Sequence, residues 1–157
     1  MGSNLYKVRF RVDQDEDGYP PFSSEVMWCA RVDDKLFRLD NIPYFVAGVS
    51  YGDVISVIED KDGSLNFHEL VEENGHSTLR VMFLDTSIDA RPVEIRAVEL
   101  KTRLTEKGCL TRISPPPQIL AIDVPPAISL SGIRSILAAG ESDGLWSFDE
   151  GTVAHSE

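Results

Sequence analysis

The side chains in this sequence that are best equipped for chemistry are few and widely spaced. His76 and Ser77 are neighbours, and with Asp53 brought in from an adjacent strand they can be drawn as base, nucleophile and orienting carboxylate. Such a triad is defined by geometry, and Ser77 lacks the G-x-S-x-G elbow that lifts a nucleophile above a sheet. A plainer reading makes Asn74, Gly75, His76 and Ser77 a polar turn with the histidine hydrogen-bonded inside it. His68 and His76 lie eight residues apart and Cys29 is far from Cys109, so zinc-type ligand spacing is missing and no metal is expected. Asp60, Asp62 and Gly63 look like the start of a calcium loop, but Val71 stands where the closing glutamate belongs, which leaves a hairpin turn. Gly48 and Gly52 do not make a phosphate loop, because no lysine follows and a strand comes next. Glu25, Asp40, Asp53 and Glu69 can be paired on paper for acid–base work, yet among 26 acidic residues any such pair is easily found. No cofactor is implied, and the balance points away from an enzyme.

The formal net charge is −11, and it is unevenly placed: residues 1–77 carry 7 Lys and Arg against 15 Asp and Glu, and residues 78–157 carry 8 against 11. An acidic exterior repels a phosphate backbone and attracts a basic protein, so the expected partner is a basic protein and not nucleic acid. Lys7, Arg9 and Arg11 make one basic stripe; the aromatics Tyr6 and Phe10 alternate to the other side, so acidic cross-strand neighbours are expected to balance it. The N-terminus shows no secretory pattern and no apolar run approaches the roughly 18 residues of a membrane span, so a cytoplasmic protein without a membrane partner is expected. Both cysteines sit in apolar runs and are expected to be buried reduced thiols.

These residues must be positioned by an α+β chain. Leu5–Val12 alternates as a half-buried strand, Asp13–Pro21 is an acidic loop, and Glu25–Val32 resumes strand composition before a hairpin at Asp33 and Asp34. Asp53–Glu59 and a partner containing Leu65, Phe67 and Leu70 flank the turn ending at Gly63. This predicts an N-terminal β-rich module over residues 1–77, a small antiparallel sheet or partial barrel. Residues 78–157 read as strand, helix (Asp89–Lys107), strand, strand, helix (Ser129–Ala139, ended by Gly140) and strand (Leu145–Phe148). That βαββαβ order predicts a ferredoxin-like module, with Pro115–Pro117 as a rigid loop and a flexible tail after about residue 151.

The stretch Asn41 Ile42 Pro43 Tyr44, then Gly48 Val49 Ser50 Tyr51 Gly52 Asp53, and later Gly75 His76 Ser77 before Arg80, resembles a bacterial family of unknown function with the signature N-I-P-[FY], G-x-S-x-G-D and G-H-S. The resemblance spans roughly residues 5–150. It implies a bacterial cytosolic setting and brings no activity. The motif positions have a folding rationale, because Pro43 fixes a bend, the glycines allow close approach and Asp53 can cap a turn.

Two functions from different classes follow. The first is a non-enzymatic protein-binding protein, such as an immunity protein that neutralises a basic toxin, with Asp13, Asp15, Glu16, Asp17, Asp33, Asp34, Asp60 and Asp62 as candidate contacts. The second is a small-molecule-binding protein or hydrolase with a pocket at the module junction formed by Tyr51, Asp53, His76, Ser77 and Arg80. A homodimer through sheet edges is a third expectation.

Overall fold

Buried and exposed side chains alternate along residues 7–12 and 24–29 in the first half of the chain. In the computed structural model, which describes residues 4–84, 90–114 and 118–156, the chain divides into two compact units, Met1–Asn74 and Gly75–Glu157. The first unit holds β1 (Leu5–Arg11), β2 (Ser24–Asp33), β3 (Leu36–Leu39), β4 (Val54–Glu59) and β5 (Leu65–Glu72). They close into a barrel in the order β1-β2-β3-β4-β5, with β1 returning to β5. A meander reverses direction at each turn, so the first and fifth strands run the same way and the closing pair, Val8 opposite Leu65, is parallel. The expected sheet or partial barrel is therefore fully closed, which removes its edges. Val8, Phe10, Met27, Cys29, Phe37, Leu39, Ile55 and Val57 fill it.

The same meander sorts the connections. Turns β2–β3 and β4–β5 emerge at one end of the barrel, and the 12–23 loop and the 40–53 connection emerge at the other.

The second unit runs β6 (Ser77–Phe83), α1 (Val93–Glu106), β7 (Leu110–Ile113), β8 (Ile119–Val124), α2 (Leu130–Ser142) and β9 (Trp146–Thr152). Its four-stranded sheet has the order β7-β8-β6-β9 with antiparallel pairs. Leu79, Val81, Phe83, Leu120, Ile122 and Val124 meet Ala97, Leu100 and Leu104 of α1 and Ile133 and Leu137 of α2 in one core. Pro92 sits just ahead of α1 without a side-chain cap, and the Ser129 hydroxyl caps α2 by accepting the Gly132 N–H at 3.2 Å. The whole is α+β and strand-rich.

Two local expectations are corrected. Gly140 does not end α2 but lies inside it, because a Cβ there would come within 1.9 Å of the Trp146 ring; the residue is glycine so that the indole can lie against the helix. The last strand extends to Thr152, beyond Phe148, and the tail that follows is hydrogen-bonded. Pro115–Pro117 and the expected helix start at Asp89 fall outside the described residues.

Cys29 and Cys109 are buried free thiols. Burial, with the Asp40 charge adding to it, pushes Cys29 up to about 12, and burial with the Asp123 charge pushes Cys109 up to about 11, both from 9.0. A thiol whose folded value is raised keeps its proton in the native state. That contribution is complete below pH 9.0 and is lost as pH climbs toward the folded values of about 11 and about 12. A thiol-reactive dye at mildly alkaline pH is expected to label neither cysteine in the native protein and both after denaturation; rapid native labelling would contradict the burial.

Candidate functional site

Three buried carboxylates organise the polar residues of this chain. Glu25, on β2, is 9% exposed, and its two oxygens accept the backbone N–H groups of Tyr44 (2.8 Å), Phe45 (3.0 Å) and Val46 (3.1 Å). Asp53 is fully buried; one oxygen accepts the Ser50 N–H and the other the Asn74 N–H, both at 2.9 Å. Asn41 adds a further tie, its Oδ1 accepting the Trp28 N–H at 2.8 Å. A loop cannot be packed into an interior unless its N–H groups find acceptors, and these side chains supply them. Gly52 has φ +86°, a conformation that favours glycine, and the Asn74 side-chain amide lies over it where a Cβ would be.

Asp123 is the third, and it belongs to the second unit. It is fully buried on β8, and the His76 Nδ1–H donates between its oxygens at 2.9 and 2.8 Å. Ser77 looks in another direction. His155 Nε2 lies 3.0 Å from the carbonyl oxygens of both Pro125 and Ile128, so it carries the proton, and the bare Nδ1 accepts the Ser77 hydroxyl at 2.6 Å. The Ser77 oxygen in turn accepts the N–H groups of Ala154 (2.9 Å) and His155 (3.3 Å). A nucleophilic serine needs an exposed oxygen with a lone pair open to the substrate. Ser77 is fully buried with its lone pairs engaged, so its hydroxyl acts as a clamp on the C-terminal segment.

The residues nominated for a pocket are divided between the two units. Tyr51 and Asp53 lie in the first unit, and His76, Ser77 and Arg80 in the second. Asp53 serves Ser50 and Asn74, His76 pairs with Asp123, Ser77 with His155, and Arg80 Nε with Asp149 at 2.8 Å across β6–β9. Within the second unit His76 has Asp123 as its carboxylate and Ser77 has His155 as its imidazole. Asp123 and His155 were invisible as partners because they lie 47 and 78 residues away from His76 and Ser77. One signal for Asp123 existed, a lone acid inside the apolar run Ile119–Val124.

The acidic residues nominated for partner binding are all exposed and all in the first unit. Asp33, Asp34, Asp60 and Asp62 share one barrel end, where a hollow of about 230 Å³ is lined by residues including Tyr6, Asp34, Lys35, Phe37 and Glu59. Asp13, Asp15, Glu16 and Asp17 occupy the opposite end. Asp15 is partly structural, its Oδ1 accepting the N–H groups of Asp17 and Tyr19 at 2.9 Å. Asp62 is held down at about 2, first by a hydrogen bond with the Asp60 side chain, then by Ser64, with a smaller contribution from the Arg9 charge. It is therefore charged throughout the neutral range.

The basic stripe departs from expectation. Toward β2, Lys7, Arg9 and Arg11 stand opposite Trp28, Val26 and Ser24, with no acid directly across; the acid that feels Arg9 is Asp62, in the turn before β5. The expectation of acidic cross-strand neighbours fails toward β2 because strand register is not legible from local spacing.

In the second unit a broad groove of about 900 Å³ runs past Arg103, Lys107, Ile128 and Ile133. Arg96 is 7% exposed; it donates to the carbonyl oxygens of Arg91 and Leu84, while Nη1 has no partner among the described residues and borders a hollow of about 100 Å³ with room for water. Among the described residues, no group of three or more His, Cys, Asp or Glu side chains could hold a metal ion, and no helix is long and apolar enough to cross a membrane.

Residues 25–148 match the model of a domain of unknown function, DUF4265. No curated protein matches the chain. The fold is similar to that of a hypothetical protein from Neisseria gonorrhoeae solved by crystallography, with a TM-score of 0.72 and 23% identity over 99% of this chain and 98% of that one.

If the buried carboxylates are acceptors for loop amides, Asp53→Ala strands two N–H groups and is expected to cost about 2–5 kcal/mol. Glu16→Ala, exposed and without a side-chain partner among the described residues, should stay within about 0.5 kcal/mol. Urea unfolding of the two variants checks the contrast, and equal midpoints would refute it.

Proposed function

We propose that this chain, which belongs to the DUF4265 family, a family of unknown function, is a non-enzymatic protein-binding protein that presents acidic turns to a basic partner. The observation that carries this reading is the placement of Asp33, Asp34, Asp60 and Asp62 at one end of a closed barrel, where a hollow is lined by Asp34 and Glu59 together with Arg31, Lys35 and Tyr6. Clustered fixed charge beside apolar surface is what an oriented, electrostatically steered contact requires. Ser77, by contrast, is fully buried, and its oxygen accepts the Ala154 and His155 N–H groups. In its most specific form the reading is an immunity protein that neutralises a basic toxin in a bacterial cytoplasm. Neither nucleic acid nor a membrane is needed as a partner. For the second unit, the element order β6-α1-β7-β8-α2-β9 and sheet order β7-β8-β6-β9 support naming it ferredoxin-like.

Affinity capture from the source cells at low and at moderate salt, with identification of what is retained, tests this. A basic protein should be recovered, more strongly at low salt, and should be lost when Asp33, Asp34 and Asp62 are each replaced by Lys. Retention that ignores those substitutions would contradict the proposal.

A further inference from the structure

The outer face of β1 and β2 carries the opposite chemistry to the rest of the exterior. Lys7, Arg9 and Arg11 point outward from β1, and the register sets them beside Trp28, Val26 and Ser24. Trp28 is 43% and Val26 46% exposed, and the Lys7 ammonium lies 5.3 Å from the centre of the indole ring. Among the described residues none of the three cations forms an ion pair or a side-chain hydrogen bond, in a chain of net charge −11. A groove of about 370 Å³ runs along this face past Lys7, Arg9 and Val26 to the turn at Gly63–Leu65. Cations flanking an exposed tryptophan are the composition of a protein-binding hot spot. Because the barrel is closed, a partner cannot add a strand and must dock through side chains.

We propose that this face binds a second copy of the same chain, through that copy's acidic loop Asp13–Phe22. The loop has the matching chemistry: Asp13, Glu16 and Asp17 are exposed and without side-chain partners among the described residues, next to Tyr19 and Phe22, which are 45% and 52% exposed. Within one chain the loop does not reach the face, since Tyr19 and Phe22 pack on Phe45, with ring centres 6.5 and 5.5 Å apart. The loop grows out of the same two strands that form the face. A two-fold axis beside this hairpin therefore lays each loop on the other copy's cations, an isologous contact made twice. Nucleic acid suits the face less well, because Lys7 already covers the Trp28 ring and the remaining charge repels a polyanion. This contact lies apart from the acidic barrel end assigned above to a basic partner, so either can fail alone.

Sedimentation of the full chain at physiological salt, where distant charge is screened, tests the proposal by charge exchange. Wild type should be a dimer. Reversing the face (Lys7→Glu, Arg9→Glu, Arg11→Glu) or the loop (Asp13→Lys, Glu16→Lys, Asp17→Lys) should each weaken self-association by about tenfold or more. Mixing the two variants should restore the dimer, because each then offers the charges the other lacks. Quenching of Trp28 fluorescence by iodide, with buried Trp146 as the internal reference, gives an independent reading on wild type alone: protection should be lost on dilution. A monomeric wild type, variants that still dimerise, a mixture of folded variants that stays monomeric, or a face that binds polyglutamate or an oligonucleotide instead would each overturn it.

Discussion

Buried carboxylates that accept loop N–H groups are the constraint on which this protein depends. An isolated charge in a protein interior costs several kcal/mol, and an unmet N–H in a buried loop costs about 1–3 kcal/mol. Each penalty cancels the other only when the two groups meet. Glu25 meets Tyr44, Phe45 and Val46, and Asp53 meets Ser50 and Asn74, so the 40–53 connection is fixed at two points and the end of β5 is tied to the same acid. In the second unit Asp123 and His76 perform a related exchange where β6 begins.

A serine oxygen whose lone pairs are taken by backbone amides has none open to a substrate. Ser77 and His155 make the point, since the tautomer required by the Pro125 and Ile128 carbonyls turns the serine hydroxyl inward. The exterior of the barrel has a charge pattern of its own. There the meander has separated charge by geometry: acidic turns at both ends, and a cationic, tryptophan-bearing face along β1 and β2.

How much of this could be read from the sequence follows from the range of the forces involved. Period-two alternation in Leu5–Val12 and apolar spacing in Val93–Leu104 report local geometry, and both elements are where that spacing puts them. Asp53 as a turn cap was equally legible, because Ser50 is three residues away. Glu25 could be nominated but not interpreted, since its amides lie 19 to 21 residues on. Gly140 resembled a helix stop, because nothing local reveals that Trp146 will fold back against it. The residues whose partners are set by register or by chain closure, Arg9 beside Val26 and Ser77 beside His155, were the ones misread.

Hydrogen exchange resolved to single amides tests the central claim most directly. The N–H groups of Tyr44, Phe45, Val46, Ser50 and Asn74 lie outside the strands, and each has a carboxylate oxygen as its acceptor. They should exchange as slowly as the amides of β2 and β4, only when the first unit opens as a whole. Exchange at the rate of an open loop, while the strands stay protected, would show that these acids do not hold the fold.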